Sequence, residues 1–65
     1  MKYDQELVSI RKTLIRKGKP MMLKDIYETL NGEIEYYKLS KILNYPIARF
    51  KYKIVKVDKN HFEVR

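Results

Sequence analysis

From Asp4 to Lys17 the chain places Leu7, Ile10 and Leu14 three and four residues apart, with Val8 and Ile15 beside them and Tyr3 one turn earlier. That period predicts an amphipathic helix whose buried stripe is widened by Val8 and Ile15. Its ends carry their own signals. Asp4 is expected as N-cap, Glu6 suits the positive end, Arg16 and Lys17 suit the negative end, and Gly18 can take the left-handed conformation that stops a helix. Pro20 lacks an amide donor and biases Lys19 away from helical angles, so Lys19-Pro20-Met21-Met22 is expected to be extended, with the two methionines as core filler. A second helix follows with Ile26, Tyr27 and Leu30 on one face, closed by Asn31-Gly32. After Glu33-Ile34, a third helix from about Glu35 to Asn44 turns Leu39, Ile42 and Leu43 inward, and Pro46 ends the pattern. Glu33 and Glu35 suit the positive end of that helix better than they suit acid and base chemistry.

Beyond Pro46 the period changes from helical to two. Phe50, Tyr52 and Ile54 alternate with Lys51 and Lys53, then Val55 and Val57 flank Lys56, which predicts a strand running to a turn at Asp58-Lys59-Asn60. Asn60 is expected to supply the left-handed angles of a three-residue hairpin loop. A last strand from His61 to Arg65 turns Phe62 and Val64 toward the core. The change of parity at Ile54-Val55 predicts a bulge, or a strand whose two halves cover different surfaces.

Composition narrows what such a chain can be. With 65 residues, 45% hydrophobic and 35% charged, it has material for one packed domain over residues 1–65 and too much apolar content for disorder. It has no Cys and one His, which leaves neither a disulfide framework nor a zinc site, and no cofactor is expected. Two Ser without motif context, a lone His and no Cys supply no nucleophile-base pair, so no enzyme is expected. Uncharged stretches such as Tyr45-Pro46-Ile47-Ala48 are far short of a membrane span, and the start of the chain has neither a signal-peptide apolar region nor a lipidation motif, which predicts a cytoplasmic protein.

The formal net charge of +7 is arranged in blocks. Between Glu6 and Asp25 there is no acid, and Arg11, Lys12, Arg16, Lys17, Lys19 and Lys24 are all basic. From Asp25 to Glu35 there is no base, and Asp25, Glu28, Glu33 and Glu35 are acidic. From Tyr36 to Val57 the chain is again free of acid and interleaves its bases with Tyr36, Tyr37, Tyr45, Phe50 and Tyr52. Bases among aromatics suit phosphate and sugar contacts, so a polyanion partner is favoured over a merely solvated surface.

A helix, a short extended piece, a helix, a turn, a third helix and a hairpin resemble the winged helix-turn-helix family over almost the whole chain. The resemblance implies an α+β fold of three helices with a C-terminal β-hairpin wing. It also implies that the third helix enters the major groove of double-stranded DNA while the wing touches the backbone or minor groove. On the third helix the side opposite Leu39, Ile42 and Leu43 carries Tyr37, Lys41 and Asn44, flanked by Lys38 and Ser40, and these five are the base-facing candidates. Lys51, Lys53, Lys56, Lys59 and His61 would lie on the wing. An alternative register has Pro46 opening a recognition helix that buries Phe50, with Arg49 and Lys53 then carrying the contacts. The function implied is a small regulator or architectural protein of the kind viruses, plasmids and prokaryotes encode, made specific by a homodimer on two half-sites. Two other readings share the fold: a protein-interaction module gripping its partner through the acidic segment Asp25 to Glu35, such as a small inhibitor of a nucleic-acid enzyme, and an RNA binder that stacks bases on Tyr36, Tyr37, Tyr45 or Tyr52.

Overall fold

The first helix, α1, runs Asp4–Lys17, with Leu7, Ile10 and Leu14 buried along one side. This is a computed structural model describing residues 2–65. The N-cap position falls to Tyr3, whose carbonyl accepts from the Leu7 amide at 2.9 Å, and Asp4 sits in the first turn. Gly18 ends the helix at φ 68°, its amide donating to the Leu14 carbonyl at 3.1 Å. Val8 and Ile15 are exposed, so the buried stripe is narrower than expected, and Thr13 completes it by turning its hydroxyl back to the Ser9 carbonyl at 3.1 Å.

Pro20 brings the chain into a two-residue strand, β1 (Met21–Met22), which leads directly into α2 (Leu23–Thr29). Met21 is buried and Met22 exposed, as alternation along a strand requires. Asn31 and Gly32 both take positive φ, 54° and 73°, and turn the chain into α3 (Tyr36–Leu43). The Tyr27 and Tyr36 rings meet edge to face at 5.3 Å across the α2–α3 contact. Leu39, Ile42 and Leu43 are fully buried.

Pro46 begins a helix, as the alternative register had it and the main reading did not: α4 (Pro46–Lys51) follows α3 after only Asn44 and Tyr45. Pro suits the first helical turn, where its missing N–H would be unbonded anyway. The predicted strand through Phe50, Lys51 and Tyr52 is therefore corrected to helix and turn. The parity change has its cause in Lys53, which takes φ 61° at the end of α4 and re-aims the chain. The strand proper is β2 (Ile54–Lys56), paired antiparallel with β3 (His61–Val64). The wing turn is held by Asp58, whose carboxylate accepts from the amides of Asn60 and His61 at 2.8 and 3.0 Å. Asn60 does not take a positive φ, so the side chain of Asp58 rather than a left-handed Asn shapes the loop.

The fold is thus α+β, with four helices and a three-stranded antiparallel sheet in the order β1-β3-β2, in place of three helices and a two-stranded hairpin. Phe62 stands beside Met21 and Lys56 in the ladder, and its buried ring carries the sheet's inner face onto the helices. Ile54 fills the same face, with Val64 half-buried opposite it. Tyr52 ties the end of α4 to α1: its hydroxyl donates to Asp4 at 2.5 Å, and its carbonyl accepts from Arg11 at 2.9 Å. No described helix is long and apolar enough to cross a membrane.

Candidate nucleic-acid interface

Burial of Leu39, Ile42 and Leu43 fixes the rotation of α3 and leaves Tyr37 74% exposed, with Lys41 and Asn44 on the same outward side. At the C-terminal end of this face the Asn44 side-chain amide donates to the Ser40 carbonyl at 2.8 Å and lies 3.4 Å from the Ser40 hydroxyl. Its carbonyl oxygen accepts from Lys56 Nζ at 3.1 Å. Lys56 ends β2 beside the turn, so this contact joins the outer face of α3 to the turn end of the β2–β3 hairpin. The aliphatic stem of Lys56 lies on the inner side of the sheet, with its ammonium 5.9 Å from the centre of the Phe62 ring. Five of the predicted residues, Tyr37, Ser40, Lys41, Asn44 and Lys56, therefore share one surface. Asn44 spends one donor and one acceptor on its neighbours, which makes it a residue that positions Lys56 as well as one that faces outward.

Two predicted contacts are used inside the chain. Lys38 pairs with Glu6 of α1 at 2.8 Å, which raises the Lys38 ammonium and lowers the Glu6 carboxyl from their ordinary values. Lys51 lies 3.5 Å from Asp4. The hydrogen bond from the Tyr52 hydroxyl is the main reason the Asp4 carboxyl is held below the usual carboxylate range, with Lys51 contributing by charge; the same bond pushes the phenol up. Lys38 and Lys51 thus brace α3 and α4 against the start of α1, and Lys38, on the flank of the face as expected, is engaged with Glu6.

At the wing tip Lys59 is exposed, and His61 Nδ1 lies 2.9 Å from Asp58. The amide of Asn60 and the His61 ring, in that order, hold the Asp58 carboxyl below its ordinary value. Arg49 and Lys53 lie away from the α3 face, in a groove between α4 and β2 with a volume of about 480 Å³, lined also by Pro46, Phe50, Ile54, Val55 and Arg65. The alternative register expected Phe50 to be buried by a helix opening at Pro46. The helix is present, but Phe50 is 84% exposed and Ala48 is the buried residue of α4. Sequence reasoning missed Ile47 and Phe50 as exposed apolar residues, since the register that opened a helix at Pro46 took Phe50 to be buried.

The acidic segment sits elsewhere. Asp25 and Glu28 of α2 line a groove together with Lys17 at the end of α1 and Lys19 beyond it. Among the described residues no cluster of His, Cys, Asp and Glu is arranged to hold a metal. Comparison with protein-family models, with curated proteins and with solved structures finds no match for the chain.

Proposed function

We propose that this protein is a non-enzymatic double-stranded DNA-binding protein of winged helix-turn-helix type, which lays the outer face of α3 against the major groove and its β2–β3 wing along the backbone. The order α1-β1-α2-α3-α4-β2-β3, in which a short fourth helix precedes the hairpin and β3 lies in the middle of the sheet, is compatible with that fold family. The observation that carries the reading is the hydrogen bond between Lys56 and Asn44. It joins the turn end of the wing to the α3 face in one surface bearing Tyr37, Lys41 and Lys56, with Lys59 in the adjoining turn. A helix about 10–12 Å across with its side chains fits a groove about 12 Å wide, and α3 has eight residues to lay along it.

Fluorescence polarisation with a labelled duplex tests the assignment. The double substitution Lys41→Ala and Lys56→Ala is expected to weaken binding and to reduce the dependence of log K on log salt by about 1.8, since each neutralised phosphate contributes about 0.9. Duplex affinity and salt dependence unchanged by both substitutions would place the contact elsewhere and refute the α3–wing face. Base readout is expected from Tyr37. Asn44→Ala is expected to weaken all sequences alike, because it releases Lys56.

A further inference from the structure

The groove between α4 and β2 has a composition that the duplex-binding face does not use. We propose that it is a second nucleic-acid site, which holds an unpaired base of a DNA strand against Phe50 and that base's phosphate against Arg49 and Lys53.

The first observation is Phe50 itself. It stands 84% exposed on a six-residue helix, contributes nothing to the core, and lines a concave groove floored by Pro46, Ile54 and Val55. An aromatic face beside such a floor suits a flat base, and stacking of this kind tolerates any base because each has a π-face. The second is the charge around it. Arg49, Lys53 and Arg65 line the groove and no acid does; Arg65 gives part of its charge to Glu63 at 3.2 Å, which leaves Arg49 and Lys53 to meet an anion. The third is the Arg49 Nε, which is buried and has no hydrogen-bond acceptor among the described residues. A buried donor without a partner is costly, and no acid among the described residues pairs with this half-buried guanidinium. The fourth is Lys53, which holds φ 61°, a conformation that Gly or Asn adopts more cheaply. A lysine kept there places a cation at the groove, where backbone strain accompanies function.

The strand β2 links the two sites. Lys53 precedes it at the groove and Lys56 ends it at the α3 face, so about 10 Å of strand separates them. A strand leaving a locally opened duplex held on α3 would reach Phe50 directly, which is why DNA is assigned as the source of the base. The site extends the duplex reading, and the two can fail separately.

The test uses the full chain and a labelled oligothymidine of about ten nucleotides, within the usual site size of small single-strand binders. Phe50→Ala and Phe50→Leu are expected to weaken its binding by roughly 5-fold to 150-fold, Phe50→Tyr to retain it, and all three to leave duplex affinity and the thermal midpoint unchanged. Arg49→Gln is expected to weaken it as well. Oligothymidine binding unaffected by Phe50→Leu would overturn the proposal, since an apolar dock needs no ring. Tighter binding of oligouridine of the same length would overturn the assignment to DNA. A native dimer that Phe50→Leu converts to monomer in sedimentation would give the groove to a second copy of the chain and overturn it too. Loss of duplex binding in the Lys41/Lys56 variant with intact oligothymidine binding would leave this site standing.

Discussion

The two phenylalanines give the sharpest test of the fold, because they are chemically identical and placed in opposite environments. Phe62, on the middle strand, is 3% exposed and packs between Met21 of β1 and the Lys56 stem of β2, whereas Phe50 is 84% exposed. A buried Phe removes about 150–250 Å² from water, which at about 25 cal/mol per Å² is roughly 4–6 kcal/mol. Ala recovers part of this and leaves a cavity, so Phe62→Ala is expected to cost about 3–5 kcal/mol. At roughly 0.05–0.15 kcal/mol per residue, a domain of this size holds only about 3–10 kcal/mol in total. The variant should therefore be largely unfolded or close to it. Phe50→Ala should change stability by less than about 0.5 kcal/mol. Urea unfolding followed by circular dichroism at the helical minimum reads both. A cost below about 1 kcal/mol for Phe62→Ala, or an equal cost for the two, would refute the sheet register and the placement of α4 together.

Other expectations follow from particular contacts. Gly18→Ala should cost about 1 kcal/mol in the same assay, because nothing lies within 4 Å of the added Cβ and the left-handed backbone is the whole penalty; no loss would mean α1 ends elsewhere. Asp4, Glu6 and Asp58 have lowered folded-state values, so the stability they contribute is present above the ordinary carboxylate range near pH 4 and is lost as pH falls through the lowered values. Lys38 and Tyr52 are raised, so their contribution is present below about pH 10 and is lost as pH rises through the raised values. The thermal midpoint should accordingly form a plateau that falls on both sides, and a midpoint that climbs on acidification below pH 4 would contradict the Asp4 and Glu6 contacts. Tyr52→Phe removes the donor on Asp4 and should flatten both limbs; titration curves superimposable on the native ones would remove the Tyr52 bridge from the account.

What the sequence discloses here depends on whether a residue's partner is near or far along the chain. The limits of α1 were legible at both ends, since fourteen residues give nearly four turns of period and Gly18 a stop that needs only local backbone geometry. The inward side of α3 was legible for the same reason. Helix α4 was not. Its apolar residues Ile47 and Phe50 face water, so burial left no helical stripe, and the alternation of Phe50, Tyr52 and Ile54 with lysines imitated a strand. The third strand escaped because its two residues acquire their meaning only by pairing Met21 with Phe62, forty-one residues later. In the candidate site, Tyr37, Lys41, Ser40 and Asn44 follow from helix period alone. That Lys38 and Lys51 are held by Glu6 and Asp4, and that Lys56 reaches Asn44, are long-range facts. Residue type and spacing do not encode them.

The central claim, that the α3–wing face binds duplex DNA, is tested most directly by polarisation of a labelled random-sequence duplex titrated with the native protein at several salt concentrations. The account predicts binding at low salt that weakens on addition of salt with a slope equivalent to roughly four or more phosphates. Absence of binding at low salt, or binding that does not respond to salt, would contradict it.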